Sequence, residues 1–169
     1  TNGRITLQYA RPKFEDNPAY LRIEAFAPFA GVKNSGQLGE MCVNEGARYR
    51  LSLWARGTVP VAVRLKTQGA KGKVLWGTEF ACVGENWQRF EAEFTAPSSA
   101  AVSLGVYALK KGTLDLEQVS LMPAETFMSH GLRSDILKLV ADLKPATIRF
   151  PGGCMLESYD YSAWWDWKR

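Results

Sequence analysis

Histidine is almost absent from this sequence, and its absence excludes one large class of enzyme sites. The 169 residues contain a single histidine, His130. Zinc centres draw most of their ligands from histidine and cysteine, so metal sites built on histidine are excluded. His130 stands just before a predicted helix, and we interpret it as a surface residue.

Cysteine is scarce as well. Cys42, Cys82 and Cys154 are odd in number and show neither Cys-x-x-Cys nor Cys/His spacing, so no zinc-binding pattern is present. We interpret them as buried free thiols, which behave as small apolar side chains. One disulfide between Cys42 and Cys82 is the alternative.

Long apolar runs are also missing. No run approaches the roughly 20 residues that a membrane helix needs, so no membrane partner is expected. The first residues, Thr1-Asn-Gly-Arg4, show no signal-peptide pattern and no initiator methionine. We therefore expect a processed chain or a piece of a longer protein.

A strong charge imbalance is lacking too. The net charge is +4, which raises nucleic acid as a partner. The basic residues are scattered, however, and their densest groups are short pairs such as Lys110 and Lys111. We interpret them as a solvated surface and expect no nucleic-acid partner.

The sequence is rich in short segments that alternate with period two from Ile5 to about Met122. In one of them Phe90, Ala92 and Phe94 alternate with charged residues, which is typical of a half-buried strand. Turn residues separate the segments, and no helix intervenes. The predicted strands are Ile5–Tyr9, Tyr20–Ala27, Leu38–Val43, Tyr49–Arg56, Val61–Thr67, Val74–Cys82, Gln88–Thr95, Ala101–Ala108 and Thr113–Leu121. This pattern predicts a mainly β fold, a jelly-roll β-sandwich of the galactose-binding-like type, over residues 1–123.

Residues 124–169 follow a different pattern. Leu132, Ile136, Leu139, Val140 and Leu143 share one face of a predicted helix. Ser129 is its predicted cap, and Pro145 ends it. Thr147-Ile148 predicts a short buried strand, and Pro151-Gly152-Gly153 a turn. Helix, strand and glycine turn are typical of α/β folds.

One helix and one strand do not bury their apolar faces alone. Either this segment packs on the sandwich or it opens a second domain, and we favour the second, because exposed apolar surface promotes aggregation. Arg149 in a short apolar strand calls for an anionic or polar partner. The carboxyl ends of strands in α/β folds are where ligands bind, so Arg149 is a candidate site residue.

These residues resemble a known family. The order and spacing of several pieces are similar to those of the α-L-arabinofuranosidases of glycoside hydrolase family 51. The pieces are Gly131-Leu-Arg-Ser-Asp-Ile136, Ala141-Asp-Leu-Lys-Pro145, Ile148-Arg-Phe-Pro-Gly-Gly-Cys154 and Trp165-Asp-Trp-Lys168. The resemblance implies that residues 124–169 are the start of a (β/α)8 barrel.

A second set of pieces resembles carbohydrate-binding modules of the family 4/9 type. They are Pro18-Ala-Tyr-Leu21, Gly31-Val-Lys-Asn34-Ser-Gly36, Gly46-Ala-Arg-Tyr49-Arg-Leu-Ser-Leu-Trp-Ala-Arg56, Trp87-Gln-Arg-Phe90 and Leu116-Glu-Gln-Val-Ser-Leu121. Some of the arabinofuranosidases resembled above carry such a module inserted early in the barrel. Jelly rolls of this type often hold a structural calcium, for which Glu15, Asp16 and Glu117 are the candidate oxygen ligands.

Family membership implies a retaining hydrolase with two glutamates about 5 Å apart. In the family both lie on later barrel strands, so no catalytic residue is expected in this chain. Arg149 and Cys154 match positions that line the arabinofuranose pocket, and Glu157 is a further candidate there. Among aromatic residues that could stack on a sugar, Trp76 and Trp87 are the selected candidates.

The implied function is removal of terminal arabinofuranose from arabinan- or arabinoxylan-type plant polysaccharides by a secreted, extracellular or periplasmic, full-length enzyme. This chain would supply the sandwich and one wall of the sugar pocket. A non-catalytic module that binds glycans or packs between domains is the alternative.

Overall fold

The computed structural model describes residues 2–34, 36, 41–69, 72–81, 84–129 and 131–149. Over these residues ten strands precede one α-helix. The strands are β1 (Gly3–Gln8), β2 (Tyr20–Ala25), β3 (Ala30–Asn34), β4 (Met41–Val43), β5 (Arg48–Gly57), β6 (Val61–Thr67), β7 (Val74–Phe80), β8 (Gly84–Thr95), β9 (Ala100–Ala108) and β10 (Gly112–Pro123), and the helix is α1 (Ser134–Asp142).

The strands form two antiparallel sheets that face each other. The front sheet has the order β1-β2-β10-β5-β8. The back sheet has the order β3-β9-β6-β7, and β4 continues the β3 edge by pairing with the other end of β9. In the front sheet β2 pairs with β10, a strand from the far end of the sandwich sequence, so the fold depends on long-range pairing rather than on hairpins alone.

The core lies between the two sheets and is aliphatic. Inward positions of β5 alternate with outward ones, as a strand with one buried face requires. The largest fully buried side chains come from both sheets: Ile23, Val43, Leu51, Leu53, Val61, Val63, Leu65, Val102 and Leu114. Burial of such side chains is the main force that holds the sheets together.

Aromatic pairs close one edge of the sandwich. Trp76 of the back sheet stacks on Phe94 of the front sheet, with ring centroids 4.4 Å apart, and Phe80 stacks on Phe90 at 5.0 Å. Tyr49 extends the first pair by stacking on Phe94. Offset stacking adds to the apolar burial of these rings, so this edge is sealed by side chains rather than by a further strand.

Each predicted strand of the sandwich overlaps an observed one, although some bounds differ by up to four residues and Cys82 lies outside the described residues. The sequence analysis missed β3, because its Ala-Gly-Val-Lys-Asn stretch lacks an alternating pattern. The predicted strand Leu38–Val43 is shorter, since β4 covers Met41–Val43 and residues 37–40 lie outside the described residues. Cys42 is a free thiol, but it is exposed, so the expectation that it is buried is wrong. It lies on an edge strand and points away from the core.

The helix begins later than expected. Ser129 is not its cap: α1 starts at Ser134, and Arg133 occupies the N-cap position without a side-chain capping bond. Met128 and Gly131 both have positive φ angles, and this backbone turns away from a helical path. A short 3-10 turn at Phe127–Ser129 takes the place of the expected first turn.

The apolar face of α1 does not pack on the sandwich, although the Ala124 amide donates to the Arg48 carbonyl and Glu125 pairs with Arg48 just before it. No residue of α1 is buried, and its apolar residues Ile136, Leu139 and Val140 are all exposed. The buried strand predicted at Thr147-Ile148 is absent, since residues 147–149 are exposed coil and Ile148 is 73% exposed. A strand is stable only when hydrogen-bonded to a neighbour, and no described strand lies beside this one.

Candidate functional site

The front sheet carries charged residues on the face that points away from the core. Leu114 and Leu116 of β10 face inward, so Asp115 and Glu117 face outward, and Arg56 of β5 lies directly opposite Asp115. All three charged residues are nevertheless buried. Burial of a charge is unfavourable unless it is paired, so this outer face is a candidate for a functional site.

Asp115 is the centre of a buried ion-pair cluster. Arg22 donates from Nε to Oδ1 at 2.7 Å and from Nη2 to Oδ2 at 2.9 Å, and Arg56 Nε donates to Oδ2 at 2.9 Å. A two-pronged bond from a guanidinium is the strong form of such a contact, and it raises the pKa of Arg22 above its ordinary value. We call Tyr20, Arg22, Arg56 and Asp115 the Asp115 cluster.

Arg56 also ties the connection between β1 and β2, the 9–19 loop, to the sheet. Its Nη1 donates to the Arg11 carbonyl at 2.9 Å, and its Nη2 to the Tyr20 hydroxyl at 2.8 Å. The Tyr20 hydroxyl in turn donates to the Ala10 carbonyl at 2.8 Å. The guanidinium contacts two neighbouring rings, with centroids 4.9 Å away for Tyr20 and 4.5 Å for Trp87. The loop is therefore held by a desolvated arginine on several sides.

A cavity of about 580 Å³ opens beside this cluster. We call it the Arg22 cavity. Its wall is drawn from the strands of the front sheet and from the 9–19 loop, and it includes Arg11, Arg22, Arg56, Glu85, Thr113 and Asp115. This volume falls within the range of small-molecule sites, and polar side chains whose positions are already fixed line it.

A second cavity of about 620 Å³ lies further along the same face. We call it the Trp54 cavity, because Trp54 and Phe14 line it and their rings meet edge to face at 6.1 Å. Lys13 Nζ lies 4.3 Å from the centroid of the Trp54 ring. The ammonium group therefore covers part of the aromatic surface that a sugar would need.

Glu117 is the least satisfied charged group on this face. Its side chain is buried, with 5% of the residue exposed, and within the described residues neither carboxylate oxygen makes a hydrogen bond of ordinary geometry. Burial raises the pKa of Glu117, and the main chain and charge of Lys13 oppose this by less. Glu117 is thus a carboxylate whose charged form is disfavoured by its surroundings.

The three candidate calcium ligands do not form a site. Glu15 and Asp16 are exposed on the 9–19 loop, whereas Glu117 is buried beneath it. Among the described residues no group of three or more acidic, histidine or cysteine side chains is placed to hold a metal ion. Calcium needs six or more oxygen ligands, so these residues do not fit it.

The predicted pocket residues are only partly within the described structure. Arg149 is exposed and lies in coil. Cys154 and Glu157 lie outside the described residues, as do the Pro151-Gly152-Gly153 turn and the closing tryptophans. The pocket role of the three residues therefore stays a prediction.

The two aromatic candidates both lie in packed surroundings. One face of the Trp76 ring is covered by Phe94. Trp87 donates from Nε1 to the Arg11 carbonyl at 3.2 Å and meets the Tyr20 ring edge to face at 5.3 Å. Both residues contribute to the sandwich in this way, and sugar stacking by either stays a prediction.

The Asp115 cluster was not predicted from the sequence. In Leu114-Asp115-Leu116-Glu117 the acidic residues read as solvent-facing positions of a half-exposed strand. Nothing in that local pattern shows that the 9–19 loop covers them. The one available signal was the repeated occurrence of arginine on strands predicted to be neighbours.

Among the described residues no helix is long and apolar enough to cross a membrane. No family model matches the chain. Curated relatives do. α-L-Arabinofuranosidase 2 of Arabidopsis thaliana is 34% identical over 156 residues, which cover 85% of this chain and 23% of that protein. An extracellular exo-α-L-arabinofuranosidase of Streptomyces chartreusis is 34% identical over 161 residues, 92% of this chain and 19% of that protein.

Solved structures agree with these relatives. The arabinose-bound MgGH51 α-L-arabinofuranosidase matches 99% of this chain and 30% of its own length, with a TM-score of 0.82 and 25% identity. A family 4 carbohydrate-binding module matches 72% of this chain and 77% of its own length, with a TM-score of 0.52 and 14% identity. The second likeness shows the fold alone, and it confirms the predicted jelly-roll sandwich.

The curated relatives and the first of the two solved structures are all α-L-arabinofuranosidases, and their matches cover 85% or more of this chain. The motifs around Gly131 and Ile148 predicted this family. The chain covers about a quarter of the length of the curated relatives it matches. The chain therefore belongs to the α-L-arabinofuranosidases of glycoside hydrolase family 51, of which it represents one part.

Proposed function

We propose that the full-length protein is a retaining exo-α-L-arabinofuranosidase that releases terminal arabinofuranose from arabinan- or arabinoxylan-type polysaccharides. The observation that carries the proposal is the match of 99% of this chain to an arabinose-bound α-L-arabinofuranosidase. The relative from Streptomyces chartreusis is named an extracellular exo-enzyme, which supports a secreted location.

Within that protein, residues 1–123 form the carbohydrate-binding-module-like sandwich and residues 124–169 form the start of the catalytic barrel. The exposed apolar face of α1 supports this division. Ile136, Leu139 and Val140 are exposed in this chain, and an amphipathic helix is normally stabilised by packing of that face. The remaining barrel elements would cover it.

The experiment that tests the activity is an assay of the full-length protein on an aryl α-L-arabinofuranoside. Hydrolysis with release of arabinose is expected. Cleavage of other aryl glycosides with none of the arabinofuranoside would contradict the proposal.

Arg149 is proposed to line the sugar pocket, where a guanidinium can donate a fork of hydrogen bonds to a sugar hydroxyl or a catalytic carboxylate. In the full-length protein Arg149→Ala should lower kcat/KM at least about tenfold, which is about 1.4 kcal/mol of transition-state stabilisation. Arg133→Ala is the matched control, because Arg133 is an exposed arginine of the same segment. Equal kinetics of the two variants would assign Arg149 a structural role.

A second function, glycan binding by the sandwich itself, is favoured by the two cavities on the outer face of the front sheet. Affinity electrophoresis of the full chain in gels with arabinan or arabinoxylan tests it. Retardation by the polysaccharide is expected, and unchanged migration would leave the sandwich as a packing module.

A further inference from the structure

The Arg22 cavity has a charge that the neutral arabinose substrate does not require. Three guanidiniums, those of Arg11, Arg22 and Arg56, line it, against the two carboxylates of Glu85 and Asp115. Two of the arginines share Asp115, so one carboxylate serves two positive charges at the inner end of the cavity. A wall of this kind favours a ligand with one negative charge.

We propose that this cavity binds a uronic acid residue of a glycan through its carboxylate. The proposal rests on the proposed glycan function of the sandwich, and it deepens it by naming the class of sugar. A carboxylate would supply the negative charge that the cluster lacks, and the ring hydroxyls would meet the threonine and glutamine side chains that also line the cavity.

Arg22 is placed to make the contact. It uses Nε and Nη2 for Asp115, and within the described residues its Nη1 makes no hydrogen bond. Its side chain is 32% exposed, whereas those of Arg56 and Asp115 are nearly inaccessible. Arg22 can therefore keep its bond to Asp115 and donate to a ligand at the same time, which suits the geometry of guanidinium.

The rest of the cluster holds Arg22 in position. Asp115 is fixed by Arg56, and Arg56 is fixed by the Tyr20 hydroxyl and the Arg11 carbonyl. Arg11 has a positive φ of 56°, a conformation that non-glycine residues rarely adopt and that is concentrated at binding sites. A site whose polar groups are already ordered loses less entropy when a ligand binds.

The lining also argues against a neutral sugar here. Stacking on an exposed aromatic face is the usual way to hold an uncharged sugar ring. Tyr20 is the one aromatic residue among the described lining residues of this cavity, and it is 3% exposed. A neutral sugar ring therefore finds no exposed aromatic face on the described wall of this cavity.

A pair of ligands that differ only in charge tests the proposal. The full chain is titrated with D-glucuronic acid and with its methyl ester, and amide chemical shifts are followed by NMR. The acid should bind at least about tenfold more tightly, since hydrogen bonds to charged groups are the stronger ones. Its saturable shifts should fall at Gly57, Thr58 and Thr113, which line the cavity, and weaken as salt is raised.

Arg22→Gln should weaken binding of the acid at least about tenfold while leaving the methyl ester unaffected. Arg4→Gln is the matched control, because Arg4 makes a similar two-pronged pair with Glu24 on the same sheet, outside the cavity. Equal affinity for acid and ester in the unaltered protein would overturn the proposal without any variant. So would equal binding by the two variants, or shifts at Trp54 instead of the cavity.

The titration and the hydrolysis assay together separate this inference from the proposed enzyme activity. Binding of glucuronic acid with no hydrolysis of the aryl arabinofuranoside by the full-length protein would uphold the site and refute the enzyme. Hydrolysis without preference for the acid would uphold the enzyme and refute the site.

Discussion

Asp115 in the sandwich and Asp135 in α1 are both held by an arginine fork, but in opposite surroundings. Arg22 donates hydrogen bonds to both carboxylate oxygens of Asp115, and Arg133 donates in the same way to both oxygens of Asp135. The Asp115 side chain is 3% exposed and has a second arginine, whereas that of Asp135 is 63% exposed. The same pair of residue types is thus a buried junction in one region and a surface contact in the other.

The apolar residues of the two regions differ in the same way. Leu53 of β5 is fully buried between the sheets, whereas Leu139 of α1 is 66% exposed. Both occupy the apolar face of an amphipathic element. The difference shows that the strands of the sandwich bury one another's apolar side chains. The apolar face of α1, by contrast, is not covered by any described residue.

The largest effect is expected from Asp115→Ala. Removal of this carboxylate leaves two neighbouring arginines, the partly buried Arg22 and the buried Arg56, without the anion that they share. Loss of one member of a buried ion pair is strongly destabilising, so the free energy of unfolding should fall by about 4 kcal/mol. Urea unfolding followed by tryptophan fluorescence measures this change.

Asp135→Ala is the matched control for that measurement. The pKa of Asp135 is lowered by its hydrogen bond to Arg133, but solvent screens exposed pairs. The unfolding midpoint should therefore stay within error of the unaltered chain. Equal losses in the two variants would show that burial does not distinguish the regions.

The strands of the sandwich are predicted from the sequence more accurately than the ion-pair cluster on its outer face. The strand Val61–Thr67 has the bounds that the alternation predicted, because the pattern of a half-buried strand is local. β3 was missed, since Gly31 interrupts a stretch with little alternation, and only pairing with β9 makes it a strand.

The site was harder to predict because long-range contacts create it. Arg22 and Asp115 are distant in sequence, and the 9–19 loop that covers them belongs to neither strand. The helix after β10 was predicted from its periodicity, whereas the strand at Thr147-Ile148 is absent. Periodicity describes one element, but a strand depends on neighbours that the local sequence does not name.

A smaller effect is expected from Leu53→Ala. The substitution leaves a cavity between two sheets that have little freedom to close it, and such changes in a core lower the free energy of unfolding by about 3 kcal/mol. Leu139→Ala removes the same atoms from the exposed face of α1. It should change stability by less than about 0.5 kcal/mol, and both variants are measured by urea unfolding.

A large loss with Leu139→Ala would mean that α1 packs on the sandwich in solution. In the full-length protein we expect Leu139→Ala to be destabilising, unlike in this chain. If other barrel elements cover α1 there, Leu139→Ala should lower the melting temperature of the full-length protein but not that of this chain.

The smallest effect, and a gain, is expected from Glu117→Gln. The pKa of Glu117 is raised by burial, so the folded state holds its proton more tightly than the unfolded chain, whose pKa is about 4.3. Stability therefore falls as the pH rises from about 4.3 through the folded-state pKa. The neutral amide avoids that loss, and it should raise the free energy of unfolding by about 1 kcal/mol at pH 8 but not at pH 4.

The measurement is the difference between variant and unaltered protein at the two pH values, because other groups titrate equally in both. Glu91→Gln serves as the control, since Glu91 lies on the same face but is exposed and paired with Arg89. A gain of equal size at both pH values would mean that the amide packs better than the carboxylate, whatever its charge. A gain confined to pH 8 assigns the effect to the buried charge, and it would show that ionisation of Glu117 opposes folding.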